Sequence, residues 1–225
     1  TAVGFFNDRI GRAVERQASD VLAADLIATS GFQLPEQLLA DVEQSGLQTA
    51  RHVRFPSVVI NERNESQLVA MKAVSDGSPL RGKLQLADIS DPATLLSQER
   101  GVPEPGTVWV DSQLRATLAL VPGDTLTLGM AEFTVDKILL YEPDRGENAF
   151  EFAPRVMINL QDLESAGLLV EGSRARYTLL MAGEPAAVEQ VRDRLEADYK
   201  SDVRVQGVRD GSPQMKRALD RARRF

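Results

Sequence analysis

Apolar residues recur every three or four positions near the start of the chain, with charged residues between them: Phe6, Ile10, Val14, Ala18 and Val21. This spacing predicts an amphipathic helix from Val3 to about Val21. The helix has no capping signal at its start, so we expect it to begin upstream of Thr1. A second stripe predicts a final helix, opened by Ser212 and Pro213 and formed by Met215, Leu219, Ala222 and Phe225.

The pattern changes to strands and short helices inside these two ends. We expect strands at Ala24 to Ser30, Gln48 to Asn61 and Gln67 to Ser75, with a helix from Pro35 to Gln44 after the first strand. The arrangement recurs near the other end, as a strand from Arg174 to Ala182, a helix from Glu184 to Lys200 and a strand from Val203 to Val208. The two halves therefore each predict an α/β unit, and both units are followed by the tetrapeptide Asp-Gly-Ser-Pro, which an internal duplication or ordinary turn chemistry would explain.

The block between them, roughly residues 84–172, is mainly β in character. A strand from Thr107 to Val110 precedes Asp111, which is expected to cap a helix reaching Leu120. A hairpin follows, in which Leu126 and Leu128 on one arm and Phe133 and Val135 on the other alternate with polar residues, and Gly129 and Met130 form the turn. A strand from Val156 to Asn159 and a helix from Leu160 to Gly167 end the block. We expect an inserted, mainly-β subdomain.

Composition removes several function classes. The chain has 225 residues, no cysteine and a single histidine, His52, so thiolate nucleophiles and Cys-ligated or multi-His metal sites are excluded, and we expect no cofactor. The net charge of −7 argues against a broad nucleic-acid surface. No run of about 18 apolar residues is present, and no Gly-rich turn ends in Lys followed by Ser or Thr, as a phosphate-binding loop would.

Two groups of residues carry a resemblance to a known family. The run from Gly106 to Ser112, the apolar pair Leu114 and Leu118, the segment from Val121 to Leu128 with its Gly-Asp before a hairpin, and Phe133 to Val135 resemble the extracytoplasmic domain of bacterial ABC-transporter permeases of the MacB, LolC and FtsX superfamily. The terminal segments Gly4 to Ile10, Ala23 to Leu26 and Met215 to Ala222 look like the juxtamembrane segments of its YbbP-like branch.

The resemblance implies an α+β fold with two parts. A porter-like α/β subdomain with stalk helices would comprise residues 1–83 and 173–225, and a sabre-like, mainly-β subdomain would comprise residues 84–172. It also implies a domain on the periplasmic side of the bacterial inner membrane, continuous with membrane helices at both ends. Its partners would be a cytoplasmic ATPase subunit, a lipid or other hydrophobic compound, and a periplasmic esterase or carrier protein. The domain would be non-catalytic, and its two terminal helices would leave side by side.

Five basic residues near the end of the chain form the main local exception to the acidic balance: Lys216, Arg217, Arg221, Arg223 and Arg224. They are candidate membrane-proximal residues, since each charge near an anionic bilayer contributes about 1 kcal/mol. The alternative is a solvated helix face with pairs such as Lys216 and Asp220. The positive-inside tendency counts against many arginines on the outer side.

The loop from Tyr141 to Arg155 places aromatic residues among acidic ones. The resemblance implies a contact surface in this loop, because in some relatives an extension of the inserted subdomain grips a soluble partner, and Tyr141, Phe150 and Phe152 are the candidate contacts. The alternative is that Phe150 and Phe152 pack under the loop as core residues.

Two other functions stay open from the sequence. An enzyme would use His52 as a base, although no nucleophile motif accompanies it, or a pair of carboxylates, which a pocket holding two close acids with perturbed pKa values would support. A free-standing binding module or chaperone of the cell envelope is the third possibility.

Overall fold

The computed structural model describes residues 13, 15–91, 94–145, 153–169 and 172–210. Residues 15–22 are helical and are called α1, which confirms the last part of the predicted first helix. The earlier part of that helix lies outside the described residues. So does the predicted final helix, with Lys216, Arg217, Arg221, Arg223 and Arg224. No helix in the described ranges is long and apolar enough to span a bilayer.

The described residues also form eleven strands and four further helices. The strands are β1 (Leu26–Ser30), β2 (Gln48–Asn61), β3 (Ser66–Val74), β4 (Leu84–Asp88), β5 (Leu95–Glu99), β6 (Thr107–Asp111), β7 (Thr125–Leu128), β8 (Ala131–Tyr141), β9 (Arg155–Asn159), β10 (Arg176–Ala182) and β11 (Arg204–Gly207). The helices are α2 (Glu36–Glu43), α3 (Ser112–Thr117), α4 (Asp162–Ser165) and α5 (Pro185–Asp198). Residues 208–210 form a turn of 3₁₀-helix.

The two α/β units join into one antiparallel sheet with the strand order β11-β1-β10-β2. Each β-α-β unit therefore contributes two strands that are separated by a strand of the other unit, a split β-α-β arrangement. Helices α2 and α5 cover one face, where Leu38, Val42, Val191 and Leu195 pack on Leu26, Ala28, Leu179 and Met181. The other face packs Leu180 and Ala182 against Ala23, Ala24 and Leu80, close to the end of α1.

Strand β2 belongs to this sheet and to a second structure. Its first half pairs with β10 through Gln48–Arg54, and its second half pairs with β7 through Val59–Asn61. Strands β3, β9, β6, β8 and β7 follow in hydrogen-bonded succession from β2 and return to it. The ring closes as a six-stranded barrel in which only the β3–β9 and β6–β8 pairs are parallel.

The interior of the barrel is filled by apolar side chains. Alternation along each strand points one set of residues inward, and these include Val59, Met71, Val110, Leu126, Leu128, Phe133, Ile138 and Val156. The predicted hairpin is confirmed, since its four named apolar residues are buried and Gly129 and Met130 form its turn. A barrel of this size packs side chains inside rather than holding a channel.

Two strands of the inserted segment were not predicted. Strands β4 and β5 pair with each other and attach to the barrel through β8, where a register shift lies on each side of β4. Each strand is only five residues long, and register shifts in β4 break the period of two on which the prediction depends. The helix predicted from Asp111 to Leu120 begins as expected, because the Asp111 carboxylate accepts from Leu114 N (2.9 Å). It ends at Thr117, three residues early.

The segment 84–172 does not form the barrel alone, because β2 and β3 complete the ring from outside it. The boundaries predicted for the porter-like and sabre-like subdomains stay a prediction.

Candidate functional site

The two ends of the described chain leave the sheet at one place. Strand β1 begins at Leu26 and its antiparallel neighbour β11 ends at Gly207, and these two residues are directly paired. Facing residues in such a pair lie about 5 Å apart. The segments before Leu26 and after Gly207 therefore depart from adjacent points.

A charged anchor fixes the end of α1 to this sheet. Arg81 donates two hydrogen bonds to the Asp25 carboxylate, Nε to Oδ1 at 3.0 Å and Nη2 to Oδ2 at 2.6 Å. Asp25 also accepts from Gly183 N (3.1 Å) at the start of the loop into α5. Such a bidentate pair is charge-assisted and fixes the angle between its partners. One carboxylate thus joins the residues after α1 to the segment 78–83 and to the loop that precedes α5.

The other departing segment is anchored in a similar way. Arg192 of α5 pairs with Asp210 at 2.7 Å, and the same carboxylate oxygen accepts from Gly207 N at 2.9 Å. A cavity of about 340 Å³ lies between the anchors, lined by residues of α1, α5 and the end of β11. The segments next to Leu26 and Gly207 are therefore held by residues of α5 or of the loop that precedes it.

A second cluster of charges lies on the outer face of the barrel. The cations are Arg54, Lys72 and Arg155, on the adjacent strands β2, β3 and β9, where Arg54 faces Lys72 in the strand register. Lys72 and Arg155 have only 3% and 2% of their side chains exposed. Buried cations require partners. Glu142 and Asp144 supply them from the turn that follows β8.

Lys72 bridges both carboxylates, with Nζ at 3.1 Å from Glu142 Oε2 and 2.6 Å from Asp144 Oδ1. Arg155 Nε lies 2.7 Å from Glu142 Oε1, and Arg54 Nη2 donates to Asp144 Oδ2 at 2.6 Å. Burial alone would raise the pKa of each carboxyl group, but Lys72 and its neighbouring arginines outweigh it and hold both pKa values below their ordinary range. Both acids are ionised at neutral pH.

His52 borders the same cluster, with Nδ1 at 3.6 Å from Asp144 Oδ2. Burial, followed by the charges of Arg54 and Lys72, lowers the pKa of His52 well below 6.5, although Asp144 opposes this. The imidazole is neutral at pH 7 and almost fully buried. It lies on the barrel strand β2 with 4% of its surface exposed.

Glu142 and Asp144 are the close carboxylates with perturbed pKa values that an enzyme would require, but their pKa values move in the unfavourable direction. A general acid needs a raised pKa and access to its substrate. These carboxylates are ion-paired and their pKa values are lowered. Within the described residues, no group of three or more acidic or histidine side chains is placed to hold a metal ion.

Tyr141, at the end of β8, is the one predicted partner contact among the described residues, and 46% of its surface is exposed. Phe150 and Phe152 lie outside those residues. The charge cluster was missed by sequence reasoning, because Arg54 and Lys72 occupy outward positions of strands and such positions usually face water. Only the fold reveals that the turn 142–145 covers them.

Similarity to known proteins agrees with this architecture. The chain is 28% identical over 224 residues, all of its length, to an uncharacterized ABC transporter permease, YbbP, of Escherichia coli. It spans about a quarter (26%) of the length of that protein. No protein-family model matches the chain.

Two solved structures share the fold. The periplasmic region of MacB from Actinobacillus actinomycetemcomitans aligns with a TM-score of 0.53 over 90% of this chain and 95% of its own, at 11% identity. The extracellular domain of the noncanonic ABC-type transporter YknZ from Gram-positive bacteria aligns at 0.50 over 81% and 100%, at 12% identity. These comparisons confirm the predicted α+β fold class and resemblance: the chain is similar along its whole length to part of a YbbP-like ABC transporter permease and has the fold of the MacB periplasmic region.

Proposed function

We propose that this chain is the periplasmic domain of an ABC transporter permease subunit in the bacterial inner membrane, and that it transmits movement of membrane helices to the periplasm. A cytoplasmic ATPase subunit would supply the energy, so ATP hydrolysis would lie on another polypeptide and the domain itself would be non-catalytic. The transported compound would be a lipid or another hydrophobic molecule, delivered to a periplasmic esterase or carrier protein.

The observation that carries the proposal is the pairing of Leu26 with Gly207. It places both departing segments next to each other on one continuous sheet. Two membrane helices attached there would act on the domain at the same place. The anchors Asp25–Arg81 and Arg192–Asp210 tie those segments to the body of the domain. A movement applied there is then delivered to the whole domain, which is the rigid-body mode of conformational change.

The filled barrel favours a domain that transmits movement over a domain that binds a hydrophobic ligand in its interior. A domain that carried a hydrophobic ligand inside its barrel would need an interior cavity, whereas apolar side chains from all six barrel strands fill this one. The free-standing binding module is therefore the less favoured function. We further propose that residues 1–83 with 173–225 correspond to the porter and residues 84–172 to the sabre, with β2 and β3 shared between them.

The domain itself contains no cysteine, which simplifies a test by spin labelling. Met130, in the turn between β7 and β8, and Phe32, in the loop that follows β1, are both 82% exposed. We expect the distance between labels at Met130→Cys and Phe32→Cys to stay constant when the full transporter binds ATP. The distance from Met130→Cys to a label on the ATPase subunit should change.

Arg81→Ala should reduce that nucleotide-driven displacement while ATP hydrolysis continues, because it removes the anchor to Asp25. Arg194→Ala is the matched control, since its i,i+4 pair with Asp198 is exposed and long at 4.0 Å. Displacement of equal size in wild type and Arg81→Ala would refute the anchor, and a constant distance to the ATPase would refute the lever.

A further inference from the structure

The turn that follows β8 contacts the anchor of α1. Pro143 is buried and packs against Gly82. Gly82 has a φ of +72°, a backbone conformation that residues with a side chain rarely adopt. A Cβ at residue 82 would lie 2.8 Å from Asp20 O and 3.1 Å from Pro143 Cβ. Gly82 N in turn donates to Asp20 Oδ1 (3.0 Å) at the end of α1. Asp20, Gly82 and Pro143 therefore form one continuous line of contact.

The same turn is fastened to the barrel on its other side. Glu142 and Asp144 flank Pro143 and pair with cations of β2, β3 and β9. Arg145, the next residue, lies 3.7 Å from the Asp111 carboxylate that caps α3. Because buried ion pairs fix distance and angle, a displacement of Pro143 is passed to three barrel strands.

We propose that residues 142–145, here called the strap, relay movement of α1 to the barrel and to the exposed Tyr141 beside it. Gly82 and Pro143 are the positioning residues of this relay. Lys72 holds the strap on the barrel through its ion pairs with Glu142 and Asp144. The relay deepens the proposed lever, on which it rests, by naming the route along which the movement of one stalk helix reaches the predicted contact surface. It differs from the Asp25–Arg81 anchor in its acceptor, Asp20, although both contacts reach the segment 78–83.

Amide hydrogen exchange of the 225-residue chain tests the relay. Asp20→Ala removes the acceptor of Gly82 N without touching the strap or its ion pairs. We expect strap amides to exchange about two- to thirtyfold faster in Asp20→Ala, the range that coupling through packed contacts provides. By reciprocity, Pro143→Ala should accelerate exchange in residues 80–83. Exchange in β8 should stay at the wild-type rate in both variants, which separates local coupling from global destabilisation.

Pro122→Ala is the matched control, because Pro122 is exposed in the turn before β7. It should leave the strap and residues 80–83 unchanged. The relay is overturned if Asp20→Ala accelerates residues 80–83 alone, or if Pro143→Ala affects only its own neighbours in the strap. These outcomes concern contacts within the domain and are distinct from failure of the lever, which would appear as a missing displacement on ATP binding.

Discussion

Replacing Lys72 with Met tests the charge cluster most directly. Methionine keeps an unbranched side chain of similar length but removes the cation that bridges Glu142 and Asp144. Both carboxylates would then be left buried with fewer cations around them. The expected loss of stability comes mainly from the buried negative charge of the two carboxylates, and less from the lost contacts of the Lys72 side chain.

The magnitude follows from burial. Lys72 and Glu142 have 3% and 1% of their side chains exposed, so water does not screen their attraction. Breaking such a pair by removing one partner lowers the free energy of unfolding by about 3–5 kcal/mol. For a domain of this size, that loss lowers Tm by about 6 to 20 °C.

Urea unfolding and thermal melting, both followed by far-UV circular dichroism, measure this loss. Lys137→Met is the matched control, because Lys137 pairs with Asp136 at 3.6 Å and both side chains are more than a third exposed. A surface pair of this kind contributes about 0–1 kcal/mol. Lys137, which is partly exposed, also lies 5.3 Å from the centre of the buried Trp109 ring, a cation–π contact that contributes roughly 1 kcal/mol.

The pH dependence of the difference in unfolding free energy between Lys72→Met and wild type is a second measurement of the same cluster. Without Lys72 the pKa values of Glu142 and Asp144 should rise, since burial is then less opposed. A carboxyl group with a raised folded-state pKa favours the folded state as pH falls, so the deficit of Lys72→Met should shrink between pH 7 and pH 5. A Lys72→Met loss no larger than that of Lys137→Met, or a deficit independent of pH, would refute the reasoning.

Three further predictions concern other parts of the molecule. The pKa of His52 is lowered in the folded state, so the unfolded state binds the extra proton below pH 6.5 and stability should fall by up to about 1.4 kcal/mol per pH unit between pH 6.5 and 5.5. Its single imidazole NMR signal should stay that of the neutral form at pH 5.5, and His52→Gln should remove the slope; a signal titrating near pH 6.5 would contradict this. Leu126→Ala should cost about 2–5 kcal/mol in urea unfolding because Leu126 is fully buried, whereas Leu68→Ala, at a half-exposed position, should cost far less; similar losses would mean that the barrel interior is loosely packed. Gly129→Ala should destabilise by more than about 1 kcal/mol, because residue 129 has a φ of +60° and an added Cβ would collide with Ala166 O, and an unchanged urea midpoint would contradict that geometry.

The sequence predicted most of the local structure because the patterns were strong there. Strand β2 was predicted from Gln48 to Asn61, as observed, and Asp111 was predicted as a helix cap, which its bond to Leu114 N confirms. Both depend on neighbouring residues alone. Periodicity and capping are local properties, and local properties are what a sequence displays.

Features that depend on distant contacts were not predicted. Closure of the barrel requires β7 to meet β2, about 65 residues earlier in the chain, and no local pattern indicates that pairing. The charge cluster is hidden for the same reason, since Lys72 and Asp144 lie 72 positions apart. A charged residue at an outward strand position reads as solvent-facing until the fold places a turn over it.

The shared strand has a consequence for exchanging parts between relatives. Two of the six strands of the barrel, β2 and β3, precede the inserted segment in the sequence. A chimera that grafts residues 84–172 alone would combine four barrel strands from the donor with two from the recipient. The inward side chains of these two sets were not selected to pack against each other. A transplant intended to keep the donor's barrel must therefore carry residues 55–74 as well.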